Sequence, residues 1–224
     1  MIRNLIFLLI LFGAIFFIIY QLAQFFLGSR SIKRMIERDL EFLKVQLREL
    51  TEGLVPFDAE EMKILSSSPI VKNLRKGTSG FSKGVLSTIY QEPVFAYAFK
   101  RYKTEDQLLM LVDTTKAEYR FLFGNQKTKV FINGEEYGTI SSENKLLSTD
   151  GRHILAELVE KPFEKVNIIK KGENELAFLN RKEADLAKSN LDRVFSLFHK
   201  FQDEIRDEVV LMTLHEILFK PNLK

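Results

Sequence analysis

Cysteine and tryptophan are absent from the 224 residues, and histidine occurs only three times. Without cysteine there is no disulfide, no thiol nucleophile and no thiolate metal site. An argument for an oxidising compartment is thereby removed, though such a compartment is not excluded. Neither sign of charge dominates: 33 Lys and Arg stand against 30 Asp and Glu, a net +3. A nucleic-acid partner calls for a concentrated basic face, and this balance is too even for one. Catalytic signatures are missing too. No G-x-S-x-G, P-loop or kinase set occurs, and the Gly- and Ser-rich stretch from Lys76 to Gly84 fails the phosphate-loop pattern. That stretch reads as a flexible connection. His215-Glu216-Ile217-Leu218-Phe219 approaches H-E-x-x-H, but Phe219 supplies no second ligand. His199 and Asp203 are one helical turn apart, and His153 follows a hairpin turn and points outward. The acid pairs Asp203-Glu204 and Asp207-Glu208 read as the solvated face of a helix. No catalytic residue, metal or cofactor is expected.

A long apolar run is present instead. From Leu5 to Leu27 no residue is charged. As a helix, 23 residues at 1.5 Å each reach roughly 34 Å, enough to cross a hydrocarbon core. On an insertion scale these side chains contribute about −5 kcal/mol together. The run is longer than a secretory apolar region and lacks small residues at a cleavage position. It therefore predicts a retained, single-pass transmembrane helix over residues 1–28, with Leu5, Phe12, Ile19 and Leu27 inside the membrane. Only Arg3 precedes it, whereas Arg30, Lys33, Arg34, Arg38 and Lys44 follow. This bias places the C-terminal domain in the cytoplasm.

Residues 29–83 are expected to form a helical stalk and linker. Ser29 can cap an amphipathic helix reaching about Leu50, with Ile36, Leu40, Leu43, Leu47 and Leu50 spaced as a heptad seam. Two heptads are short for a coiled coil, so the seam packs on its own domain or, as the alternative, forms a homodimer. Asp58 and Glu61 form a capping-box start, and Phe57 with Met62 a hydrophobic staple, for a short helix to about Leu65.

From residue 84 the pattern changes to short strands. Val85–Tyr90, Val94–Tyr102, Gln107–Val112 and Ala117–Phe123 are rich in aromatic and branched residues. Asn133-Gly134, Asp150-Gly151 and Lys171-Gly172-Glu173-Asn174 then separate three further strand pairs. Helices are expected over Ala184–Phe201 and Glu204–Phe219, the last apolar nearly all round and hence buried. The fold class is α+β: an N-terminal transmembrane helix, an amphipathic linker helix, and an antiparallel β meander or barrel with an apolar C-terminal helix over 84–224. The segments KVFINGEEYGTISSENKLLSTDGRHILAEL, 129–158, and DEVVLMTLHEILF, 207–219, resemble the tubby-like barrels that include phospholipid-scramblase-type proteins. That resemblance implies a closed antiparallel barrel around a hydrophobic C-terminal helix. The anchor at the N-terminus and the missing cysteines depart from scramblase relatives.

Position and charge together point to a membrane-bound binding or scaffold protein. Its domain would engage lipid headgroups or a membrane-associated protein, with Arg30, Lys33, Arg34 and Arg38 as lipid contacts. The basic clusters Lys72, Arg75, Lys76 and Lys83; Lys100, Arg101 and Lys103; and Lys161, Lys165, Lys170 and Lys171 read as solvated faces. Near anionic lipid, each cation would contribute about 1 kcal/mol. The alternatives are a structural component of a membrane assembly and an enzyme using His199 and Asp203.

Overall fold

The computed structural model describes residues 13, 15–18, 34–75, 79–102, 107–124, 126–161, 163, 166–180, 193–198 and 207–223. They fall into two units, Met1–Phe42 and Leu43–Lys224.

In the first unit, residues 13 and 15–18 are helical and exposed, and helix α1 begins at residue 34 and continues to 51 in the second unit. No helix among the described residues is long and apolar enough to cross a membrane. A span needs about 20 contiguous apolar helical residues. The expectation of an N-terminal transmembrane helix is therefore corrected; Leu5, Phe12, Ile19 and Leu27 lie outside the described residues.

The second unit is dominated by one antiparallel sheet rather than by a balance of helices and strands. Among the described residues its twelve strands follow chain order without a crossover. They are β1 (Ile70–Arg75), β2 (Ser79–Ser87), β3 (Pro93–Tyr102), β4 (Gln107–Asp113), β5 (Glu118–Gly124), β6 (Lys127–Ile132), β7 (Glu135–Ile140), β8 (Lys145–Ser148), β9 (Ile154–Lys161), β10 (Val166–Lys171), β11 (Asn174–Asn180) and β12 (Phe195–Phe198). Local turn chemistry sets this meander. Asn133 and Gly134 take φ of 51° and 87°, the left-handed pair that matches strand twist in a two-residue hairpin.

Three expectations are corrected in the sheet. The presumed flexible connection at 76–84 is largely strand, because β1 pairs Arg75 with Phe81 and Val71 with Gly84. The presumed helix over 184–201 contains β12, which pairs with β11. The barrel is not closed by a strand ladder: β1 and β12 are the two ends of the sheet order. Isolated bridges join Leu65 to Thr88 and Ser66 to Arg193, and the Val194 N–H donates to the Leu65 carbonyl at 2.8 Å. Pro69, just before β1, has no N–H to extend such pairing, and β12 is only four residues long.

One sheet face packs on the C-terminal helix. This helix comprises α3 (Asp207–Leu214), a π-helical turn (His215–Phe219) and α4 (Lys220–Leu223). Val209, Leu211, Met212, Leu214 and Phe219 are wholly buried there, with Phe219 5.6 Å from the ring of Phe121. The short helix α2 (Ala59–Lys63) starts at the predicted capping box: Asp58 accepts from the Glu60 N–H at 2.7 Å, and Glu61 accepts from the Asp58 N–H at 3.2 Å. Phe57 packs on Phe95 with ring centroids 4.7 Å apart.

The opposite sheet face is covered in part by residues 43–51 of α1. In β4, Leu108, Met110 and Val112 join the main core, so Leu109 and Leu111, equally buried, face the other way. Leu43 and Leu47 are fully buried. Lys44 reaches Glu118 of β5 at 3.0 Å, and Lys83 of β2 donates to the Gln46 carbonyl at 3.2 Å. The C-terminal half of the heptad seam is thus used within the chain.

Candidate functional site

In an antiparallel meander every second turn falls on the same end of the sheet. One end, here the distal end, carries the turns that follow β1, β3, β5, β7 and β9. The proximal end carries those that follow β2, β4, β6, β8 and β10. The C-terminal helix runs from proximal to distal. Its first residues meet Tyr119, Tyr137 and Lys171, near proximal strand ends, and its last meet Glu160 and Asn167, near distal ones.

The two ends differ in charge. Near the distal end, among the described residues, stand Arg75, Lys100, Arg101, Lys127, Lys145, Lys161 and Lys220, against Glu143, Glu160 and Glu216. Near the proximal end, among the described residues, stand Glu92, Asp113, Glu118, Glu135, Glu136, Asp150, Glu173, Glu175, Asp207 and Glu208, against Lys116, Arg152, Lys170 and Lys171. The α2 segment adds Asp58, Glu60, Glu61 and Lys63 to the proximal end, where the Val55 N–H bonds the Pro93 carbonyl and the Ile89 N–H bonds the Ile64 carbonyl. Among the described residues the sheet is therefore electrically polar along its strands.

At the proximal end, the acids of the first helical turn are held by the sheet. Lys171 Nζ lies 2.8 Å from Glu208 Oε1, and Glu208 is only 8% exposed. Tyr137 stands close to Glu208, and Tyr119 close to Asp207. Burial, then the neighbouring Glu208, raises the Asp207 carboxyl above its ordinary range. Burial, followed by Glu208 and Asp207, pushes the Tyr137 phenol up to about 12. Negative side chains in this turn also complement the helix dipole. The reading of Asp207 and Glu208 as a solvated face is corrected, because Glu208 is buried beside Lys171 and Asp207 is half-buried.

The distal end is held by Lys220. Its Nζ lies 3.0 Å from Glu216 Oε2 and 3.7 Å from Glu160 Oε1. Asn167 Nδ2 donates to Glu216 Oε1 at 3.3 Å, while the buried Asn167 Oδ1 has no partner. His215 stacks on Phe219 at 5.3 Å. Burial, then the Lys220 charge, lowers its imidazole to about 3, so it is neutral at ordinary pH. Phe163, in the turn after β9, is fully exposed at 101%.

The sequence-derived candidates fall elsewhere. Arg34 and Arg38 are exposed on α1 in the first unit, and Arg38 Nε lies 3.7 Å from Asp39 Oδ1. Arg30, Lys33, His199 and Asp203 lie outside the described residues, and His153 is exposed on a proximal turn. Among the described residues no group of three or more His, Asp or Glu side chains is placed to hold a metal. The polarity of the ends was missed because its contributors are far apart in sequence. Adding charge over alternate turns of the predicted meander would have found it. Neither a family model, nor a curated protein, nor a solved structure matches this chain.

Proposed function

We propose that this is a binding or scaffold protein whose sheet domain engages the headgroups of an anionic lipid surface with its distal end. The charge difference between the two ends carries this reading. An anionic surface attracts the distal cations, with exposed Lys127 foremost, and repels the acidic turns opposite, so charge alone favours one orientation. Exposed Arg34 and Arg38, with Arg30 and Lys33, are additional candidate lipid contacts. The tubby-like resemblance belongs to the proposal. It is supported by hairpins 129–158 continuing into a sheet that packs on the apolar 207–219 helix.

The ten residues of β3, at about 3.3 Å each, separate the two ends by roughly 30 Å. Energy transfer resolves such a distance. Two variants of the cysteine-free chain, Lys127→Cys distally and Glu173→Cys proximally, take a single dye each. Vesicles carry acceptor-labelled headgroups, with and without phosphatidylserine. The proposal requires stronger transfer from position 127 than from 173, and only with phosphatidylserine present. Equal transfer from both, or stronger transfer from 173, rejects it. Because orientation is compared within one chain, attachment that is indifferent to orientation does not mimic the result.

A further inference from the structure

Where the C-terminal helix lies along β9 and β10, oxygens from three elements meet around one ammonium group. Glu160 of β9 and Asn167 of β10 stand directly opposite each other in the sheet, so their side chains share a face. On the helix, Glu216 Oε1 accepts from Asn167 Nδ2 at 3.3 Å. The Lys220 ammonium lies 3.0 Å from Glu216 Oε2 and 3.7 Å from Glu160 Oε1. A positive charge is therefore already held within reach of both carboxylates.

The Asn167 amide is the group these contacts leave unexplained. Asn167 is 4% exposed, and its Oδ1 has no hydrogen-bond partner among the described residues. A buried acceptor without a donor loses its hydration and gains nothing in exchange. Glu216 itself lies in the π-helical turn His215–Phe219, a widening of the helix that is frequent at functional sites.

We infer that Glu160, Asn167 and Glu216 form a binding site for calcium, and that the Lys220 ammonium takes the place of the ion when none is bound. The donors are all oxygen, which suits a hard cation. Side chains brought from two strands and a helix fit the variable geometry of calcium better than the strict octahedron of magnesium. Two ligands are carboxylates and the third is an amide; water supplies the remaining positions. On binding, the partly exposed Lys220 side chain moves out into solvent. The amide turns by half a revolution, because its Nδ2 faces Glu216 only while no ion does so, and Oδ1 gains the partner it lacks. The site does not rest on the lipid-facing reading and is tested without lipid.

Calcium chloride is titrated calorimetrically into the full chain in one fixed detergent, and into its Glu216→Gln and Lys220→Met variants. Sodium chloride at matched ionic strength is the control. The unaltered chain should show one saturable site that sodium chloride does not reproduce, and calcium should raise its melting temperature. E216Q should weaken binding about tenfold or more. K220M should tighten it about tenfold, because the ion no longer displaces an ammonium; a merely structural role for Lys220 would bring no gain. If neither the unaltered chain nor K220M binds calcium, the inference is refuted, and Asn167 Oδ1 is satisfied by water instead. Binding that E216Q leaves unchanged puts the ion elsewhere and equally overturns it. Should E216Q fail to fold, K220M decides alone, since equal or weaker affinity in that variant refutes the site.

Discussion

Asp113 provides a quantitative check on how the outer sheet face is held. It ends β4, pairs across the sheet with Glu118 and Ala96, and has a buried Oδ1 with no hydrogen-bond partner. Burial, then repulsion from Glu118, raises its carboxyl from 3.8 to about 6, although Lys44 pulls the other way. In the unfolded chain the group returns to the ordinary value near 3.9. The folded state thus binds the proton more tightly, and stability is lost as pH rises from about 4 through about 6. Two units at about 1.4 kcal/mol each give roughly 3 kcal/mol as an upper figure, and partial solvent access reduces it to about 1–2 kcal/mol. Asp113→Asn should therefore stabilise the protein by about 1–2 kcal/mol at pH 8 and have little effect at pH 4. Urea unfolding followed by far-UV circular dichroism in one fixed detergent, from pH 4 to pH 8, measures the difference. A pH-independent effect, or destabilisation at pH 8, would refute the burial reasoning.

Other consequences follow from particular contacts. Leu47 is fully buried, so Leu47→Ala should cost about 2–5 kcal/mol in denaturant unfolding. It should also speed proteolytic cleavage within residues 43–51. A Cβ at Gly138 would run into the Leu147 carbonyl of the neighbouring strand, so Gly138→Ala should cost about 1–3 kcal/mol or more. An unchanged midpoint for that variant would contradict the close β7–β8 approach. With its folded value near 3, His215 stays neutral between pH 8 and pH 5. The unfolded imidazole gains its proton below about 6.5, so stability falls by up to about 1.4 kcal/mol per pH unit as pH drops from there toward 3. His215→Phe should remove that slope, and a ring resonance titrating near 6.5 in the native protein would show the site is wet.

Local signals were the legible ones. The Asn133-Gly134 turn, the Asp58–Glu61 capping box and the strands between 94 and 140 are specified by neighbours in sequence, and each forms close to where its residues place it. β1 was not legible. Nor was the start of β2: residues 76–84, rich in Gly, Ser and Lys, read as linker, yet 79–84 pair with β1 and β3. Phe195–Phe198 illustrates a different ambiguity: a short apolar run fits strand or helix, and pairing with Ala177–Leu179 decides it. The acids at 207–208 were misread because their neighbours, Tyr119, Tyr137 and Lys171, come from three distant strands. The candidate site was hidden for the same reason, since an end of the sheet is assembled from turns about twenty residues apart. Apolar length alone suggested a membrane span, which the described helices do not support.

Energy transfer from the two ends of the sheet to labelled headgroups tests the central proposal most directly. With phosphatidylserine present, a dye at position 127 should transfer strongly and one at position 173 weakly, and added salt should abolish the difference. Equal transfer from the two positions, or a preference for 173, would contradict the distal end as the lipid-facing surface.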